Sequence, residues 1–349
     1  MYKINNPQNK LYSIAIQKEI TIENKSIGQI PDYSKSTELH PILRKYKNKQ
    51  IINFDSDNEF KWYEIFLKFI HPVKKALTLG SGTGRHQLYL QKLGIVESWD
   101  SIDLVTDRNE GYTSKYFEIK GDLNFITLPE QQYDLVFCHG ILHHIINLEH
   151  LLFEINKSLT HNGYFIVSEY IGENKWIWSD DRIRITNGIL TKEFGKYFEN
   201  YFLEKRSIRQ MNIVRPLEAI RSEDICDVLD KTFYNSKIFE IKRMPFAYPV
   251  INSIPYGFKK KLLNDSILMD DFLNTIVNYD LTFYNNNELI FTELNGLYKK
   301  SNLNVKSVVL PWKRNEIKRN LGVSFGSIEI AKSLLLKIKL IKYLRNLRK

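Results

Sequence analysis

Short apolar runs alternate with stretches whose apolar residues recur every three or four positions, and this alternation dominates the middle of the chain. The runs "KALTLG" (75–80), "SWDSIDL" (98–104), "YFEIKGD" (116–122), "YDLVFCHG" (133–140) and "GYFIVSEY" (163–170) predict strands. Helical spacing covers 85–93 and "LEHLLFEINKSL" (148–159), the latter closed by "THNG". Strands alternating with helices predict an α/β fold: a doubly wound, mainly parallel sheet with ligands at the carboxyl ends of its strands. Upstream, "FKWYEIFLKFIH" predicts a helix from Phe60 that ends at His71-Pro72. Beyond Gly172 the pattern loosens. There "WIWSDDRIRITNGIL", "RPLEAIRSEDICDVLD" and "DDFLNTIVNYDLTFYNNNELIFTELNGLY" predict helices, and "SKIFEIKRMPFAYPVINSI" predicts two strands.

Charge changes the picture only at one end. The formal net charge is +10, yet the segment from Lys313 onward holds eleven basic and two acidic residues, leaving 39 basic and 38 acidic for all that precedes it. A nucleic-acid footprint spreads over a folded face, so a nearly neutral body with a basic tail argues against nucleic acid as a partner. Within the tail, Leu336, Leu340, Tyr343, Leu344 and Leu347 form one helical stripe with basic residues outside it. Such a helix over 328–349 suits an anionic membrane surface. Cys138 and Cys226 are the only cysteines and no C-x-x-C occurs, which excludes a disulfide framework and a thiolate metal site. His143 and His144 are adjacent with no carboxylate at ligand spacing, so the expected metal content is none. No run reaches about 18 apolar residues, and the first twenty lack a secretory h-region. The expected location is cytoplasmic, peripheral on the inner membrane face if the tail attaches.

The candidate chemistry begins at "ALTLGSGTGRHQLYLQKLG". Gly80, Gly82 and Gly84 make G-x-G-x-G, and Arg85 stands where a dinucleotide fingerprint has its third glycine. That favours S-adenosylmethionine, whose amino-acid end needs close backbone approach rather than a pyrophosphate cradle; the plain alternative is a packing turn. Asp103 ends the second predicted strand nineteen residues past Gly84, where a carboxylate accepts ribose hydroxyls unless it is merely a solvated strand end. Asp122 ends the third and suits an adenine amino group, with Leu123 against the base.

With these motifs in order, residues from about Lys75 to Gly172 resemble the class I S-adenosylmethionine-dependent methyltransferases. The resemblance implies a Rossmann-like, seven-stranded sheet with one antiparallel strand, completed by the strand pair near 236–253; the looser pattern beyond Gly172 predicts a helical lid insertion, and the tail a basic C-terminal helix. It also implies that Gly80, Ser81, Gly82 and Gly84 hold the cofactor, with Asp103 on the ribose, Asp122 and Leu123 on the adenine, and His139 and Gly140 on the methionine side. One departure stands out: the family often has an acid two positions before the first glycine, and here that residue is Thr78. The implied domains are an N-terminal extension (1–58), the cofactor core (59–172), the lid with the remaining strands (173–312) and the tail (313–349).

The acceptor is approached by exclusion. The turn "CHGI" lacks the proline pair of amino-methylating DNA enzymes, and neither cysteine follows a proline as cytosine C5 methylation requires. A hydroxyl acceptor must lose its proton as the methyl arrives, so a base is needed. The candidates are His144, Glu169 and His139, with His143 beside them. His144 stands at the "L-H-H-I" position found in many small-molecule members of the family, against a capping role. Glu169 faces the expected acceptor pocket, against an ion pair with the Arg182/Arg184 region. The stretches "SEYIGENKWIWSDD" and "RPLEAIRSEDI" resemble a bacterial branch of methyltransferases associated with surface-polysaccharide synthesis. Tyr170, Trp176, Trp178, Asp180, Asp181 and Arg215 would then meet a sugar or glycan acceptor. The expected activity is O-methylation of a sugar hydroxyl. The alternatives are methylation of another small metabolite or a protein side chain, or an inactive scaffold of the same fold.

Overall fold

Both faces of the central strands are apolar, and a sheet covered on both sides is the arrangement that buries them. The computed structural model describes residues 3–4, 10–26, 40–52, 64–106, 115–198, 203–254, 256–286 and 288–302. Among these, seven strands form one sheet: β1 (Val73–Leu79), β2 (Val96–Asp103), β3 (Tyr116–Lys120), β4 (Tyr133–His139), β5 (Leu159–Tyr170), β6 (Lys237–Arg243) and β7 (Glu293–Lys299). Their order is β3-β2-β1-β4-β5-β7-β6. Pairs among β1 to β5 are parallel, while β7 runs antiparallel to β5 and β6. The expected doubly wound sheet with a single antiparallel strand is therefore present.

The described helices are α1 (Lys10–Ser26), α2 (Pro41–Ile52), α3 (Arg85–Lys92), α4 (Leu148–Ser158), α5 (Asp180–Phe198), α6 (Ile208–Val214), α7 (Ile225–Thr232), α8 (Ala247–Ile251), α9 (Tyr256–Asn264) and α10 (Ser266–Asn286). Leu151 and Ile155 of α4 with Val228 and Leu229 of α7 pack on one sheet face. Leu90 of α3 and Phe66 pack on the other, against Trp99, Phe137 and Ile166. A separate apolar cluster joins α2, α5, α8, α9 and α10 through Tyr46, Phe194, Phe246, Phe258 and Phe272. Tyr12 and Ala15 of α1 pack on Phe125, Ile146, Leu217 and Ile220.

Several expectations require correction. The pair of strands expected over 236–253 is one strand, β6, followed by α8; Met244 with φ 59° turns the chain out of the sheet. The partner that completes the sheet is β7, in a stretch expected to be helical. Five of its seven residues are buried, so it lacks the alternation that marks a strand. The "THNG" expected to close α4 lies inside β5, where a Cβ on Gly163 would come within 2.9 Å of the Tyr133 carbonyl oxygen. "RPLEAI" is not helical, and the helix expected from Phe60 is a single 3-10 turn over Glu64–Lys68 among its described residues. The basic tail lies outside the described residues. Among those described, no helix is long and apolar enough to cross a membrane.

Candidate active site

At the carboxyl edge of the sheet the chain leaves β1 through Gly80, Ser81, Gly82 and Gly84 and enters α3. The glycine φ angles are 64°, 55° and 67°, a region that L side chains rarely adopt. Their roles differ. A Cβ on Gly80 would meet Ile141 Cδ1 at 2.6 Å, whereas one on Gly82 or on Gly140 would meet nothing within 4 Å. Bare backbone from two adjacent strands, β1 and β4, thus faces open space. Asp103, at the end of β2, accepts the Gly82 N–H at 3.2 Å and the Val105 N–H at 3.1 Å, which places a partly exposed carboxylate at the rim of that space. These residues fit a ligand with a backbone-bound amino-acid end and a diol.

Thr78 is buried, and its hydroxyl accepts from Gln87 Nε2 at 2.7 Å. A hydroxyl–amide pair therefore ties α3 to β1 where an acid is common in similar chains. Asp122 follows β3 by two residues, and its Oδ2 already accepts from the Tyr12 hydroxyl of α1 at 2.7 Å and its Oδ1 from the Asn124 N–H at 3.0 Å. Leu123 is buried in the core rather than held out for a base.

On the acceptor side, His139 ends β4 at an exposed position, its ring edge-on to that of His86 with ring centres 5.0 Å apart. Protein walls around it desolvate the ring and lower its pKa, against the pull of Glu169 and Glu293, which favours the neutral form. Glu169 is not a free base. It is buried, its Oε2 accepts the N–H groups of Ile141 (2.8 Å) and Leu142 (2.5 Å), and its Oε1 accepts from Tyr170 N–H and pairs with His143 Nδ1. It organises the turn after β4. The expected alternative partner of Glu169 is taken elsewhere, since Arg182 donates to Glu173 at 2.6 Å.

Sequence reasoning missed Glu218. Its Oε1 lies 3.2 Å from His143 Nε2, and its Oε2 accepts from Arg215 at 2.9 Å. The segment carrying it packs against the turn, with the Ile220 N–H donating to the His143 carbonyl at 2.8 Å. The ring of His144 lies 4.1 Å from that of His143, centre to centre. The expectation that no carboxylate approaches these histidines is thereby corrected; only the folded chain brings Glu218 there. Arg215 acts through Glu218. Asp181 is exposed on α5 and pairs with Arg184, and Asp180 pairs with Lys205, so both serve the surface rather than the site. Trp178 is buried, whereas Trp176 stands edge-on to Tyr170 at 5.8 Å and Tyr248 lies 5.5 Å from Tyr170 on another side.

Residues 77–167, which run from β1 into β5 and include the glycine loop, Asp103 and the histidine turn, match the family model of a methyltransferase domain. The chain carries a methyltransferase domain over these residues. The bare backbone at Gly82 and Gly140 has room for the amino-acid end of S-adenosylmethionine. No curated protein matches the chain by sequence. Among solved structures, the chain is similar to an S-adenosylmethionine-dependent methyltransferase from Mesorhizobium loti, at 18% identity over 31% of this chain and 50% of that one, TM-score 0.28. It is similar to the Haemonchus contortus phosphoethanolamine N-methyltransferase 2, at 15% identity over 77% of this chain and 59% of that one, TM-score 0.39. It is also similar to the YcgJ protein from Bacillus subtilis, at 13% identity over 68% and 96%, TM-score 0.35. The chain thus spans half the length of the first of these and nearly all of the third.

Proposed function

We propose that the methyltransferase acts on a hydroxyl group, that of a sugar in a bacterial surface glycan or its precursor, with His139 taking the proton. The observation that carries this reading is His139 at the exposed end of β4, its pKa lowered by desolvation, one residue from the bare backbone of Gly140. Bound S-adenosylmethionine supplies an electrophilic methyl group. An amine or thiolate needs little help to attack it, whereas a hydroxyl must shed its proton as it does, which a neutral imidazole within reach permits. The aromatic group of Tyr170, Trp176 and Tyr248 supports a sugar, because apolar ring faces stack on such rims. Asp103, Gly82 and Gly84 hold the cofactor in this reading, and alignment of the acceptor oxygen provides much of the acceleration. The tail over 328–349 fits attachment to an anionic surface where lipid-linked glycans are built.

The test is transfer of labelled methyl to a panel of sugar nucleotides and lipid-linked sugars, with small amines as the contrast. Transfer to a sugar hydroxyl that falls in His139→Ala supports the reading. Transfer to amines alone overturns it. Sedimentation with anionic liposomes, with and without residues 328–349, tests the tail separately, and equal binding by both forms removes its assigned role.

A further inference from the structure

The turn after β4 brings three metal-ligating side chains together. His143, His144 and Glu218 each offer one donor atom, and these atoms lie within 4.8 Å of one another. We infer that His143 Nε2, His144 and Glu218 Oε1 form a binding site for a divalent first-row transition metal ion. Two imidazole nitrogens and one carboxylate oxygen suit such an ion better than the all-oxygen shells of calcium or magnesium. Metal–ligand bonds of about 2.0–2.2 Å place neighbouring donors roughly 3 Å apart; His143 Nε2 and Glu218 Oε1 are already 3.2 Å apart.

The surroundings are built as metal sites are built. A ligating histidine commonly gives its other ring nitrogen to a carboxylate, which orients the ring. Here His143 Nδ1 is bonded to Glu169, itself held by the backbone N–H groups of Ile141, Leu142 and Tyr170. That leaves Nε2 aimed at Glu218. The second oxygen of Glu218 is held by Arg215, so Oε1 alone faces the histidines. Both carboxylates are almost wholly buried, at 2% and 3% exposure, which separates them from the acidic clusters common on surfaces.

Backbone strain gathers at the same place. Lys175 and Trp176 have φ of 60° and 51°, and Ala219, next to Glu218, has φ 45°. The two strained segments are joined by the Lys175 N–H donating to the Ala219 carbonyl at 2.6 Å. Non-glycine residues in this region cost roughly 1–3 kcal/mol each and persist where the surroundings over-determine them, which happens most often at functional sites. Three buried carboxylates, Glu19, Glu169 and Glu218, stand around the turn with Arg215 and Lys175 as the facing basic side chains. A dication finds compensating charge there. On binding, the metal takes the place of any proton on His143 Nε2, which leaves to solvent.

The role of the ion rests on the methyltransferase reading, but its binding does not. The turn adjoins the glycine loop through Ile141, whose side chain crowds Gly80, so a metal here stands beside the site of methyl transfer. It would bind the acceptor oxygen and lower its pKa as a Lewis acid.

The experiment uses the full chain without a histidine tag, stripped with chelator and dialysed against Co(II) at pH 8. One equivalent of cobalt per chain by elemental analysis, with a visible d–d absorption band, is the expected result. His144→Ala and Glu218→Gln should each weaken cobalt binding at least tenfold. His144→Ala is the more telling variant, since it leaves the His143–Glu169 pair intact, and its melting curve reports that the fold is kept. Substoichiometric cobalt without the band overturns the inference, as does unchanged binding in both variants. Because the readout is binding, its failure is distinguishable from failure of the sugar-methylation reading.

Discussion

The hydroxyl of Tyr12 donates to the carboxylate of Asp122 across 2.7 Å in a buried setting, tying the first described helix to the loop after β3. Burial pushes the Tyr12 hydroxyl pKa up, and the Asp122 charge adds to it, so this donor keeps its proton. The carboxylate expected to receive an adenine amino group is thus already engaged. Tyr12→Phe should free Asp122 Oδ2 and tighten binding of S-adenosylhomocysteine. It should also lower stability by about 1.5–3 kcal/mol, the range for hydrogen bonds to charged groups. Calorimetric titration and urea unfolding check the two effects, and weaker binding in the variant would show that Tyr12 supports the ligand rather than competing with it.

The two loop glycines should respond differently to alanine. Both sit at positive φ, which costs an L residue roughly 1–2 kcal/mol. Gly80→Ala adds a contact of 2.6 Å with Ile141, while Gly82→Ala projects its methyl into open space. Gly80→Ala should therefore lose clearly more stability than Gly82→Ala. Gly82→Ala should stay folded and lose at least tenfold in cofactor affinity, because its methyl occupies the space a ligand needs. Denaturant curves beside calorimetry separate these outcomes.

Thr78→Val tests the substitute for the missing acid. The change removes the acceptor of the buried Gln87 amide, whose Oε1 already lacks a hydrogen bond among the described residues. The unpaired donor should cost about 1–3 kcal/mol. Chemical denaturation measures it, and a loss near zero would show that the pair does not hold α3 in place.

Activity should follow the protonation of His139. Desolvation by the protein around the ring lowers its pKa from the ordinary 6.5, so the neutral form persists below that pH. The acid limb of kcat/KM is expected below pH 6.5. His139→Ala should remove that limb and slow transfer roughly a hundredfold or more. A limb retained in the variant would assign the proton to another group.

Acid stability should show the triad of Lys47, Glu293 and Arg243, which joins α2 to β6 and β7. Burial alone would raise the Glu293 pKa; Arg243 and Lys47 overcome it and hold it at about 2, below the ordinary 4.5. A depressed carboxyl contributes stability in full above 4.5, and that contribution is lost as pH falls toward 2. Glu293→Gln should flatten the loss of melting temperature across that window. An unchanged slope would place the acid sensitivity in other carboxylates.

The sequence alone determined the parallel core and its cofactor edge. Period-two and period-3.6 patterns are local, and so are the φ demands met by Gly80, Gly82 and Gly84; each can be read over ten residues. Strands such as β2 and β4, with Asp103 and His139 at their ends, therefore come into view from short windows. Tertiary structure alone decided the rest. β7 reads as helix because both its faces are buried and its alternation is lost, and β6 finds its partner only across α8 to α10. Glu169 looks like a base until three backbone N–H groups and His143 saturate it. Asp122 looks free until α1 folds over it, and Glu218 reaches His143 only when a strained loop packs on the turn. These are contacts between segments far apart along the chain, where burial and charge pairing determine a residue's role and no local pattern records the partner.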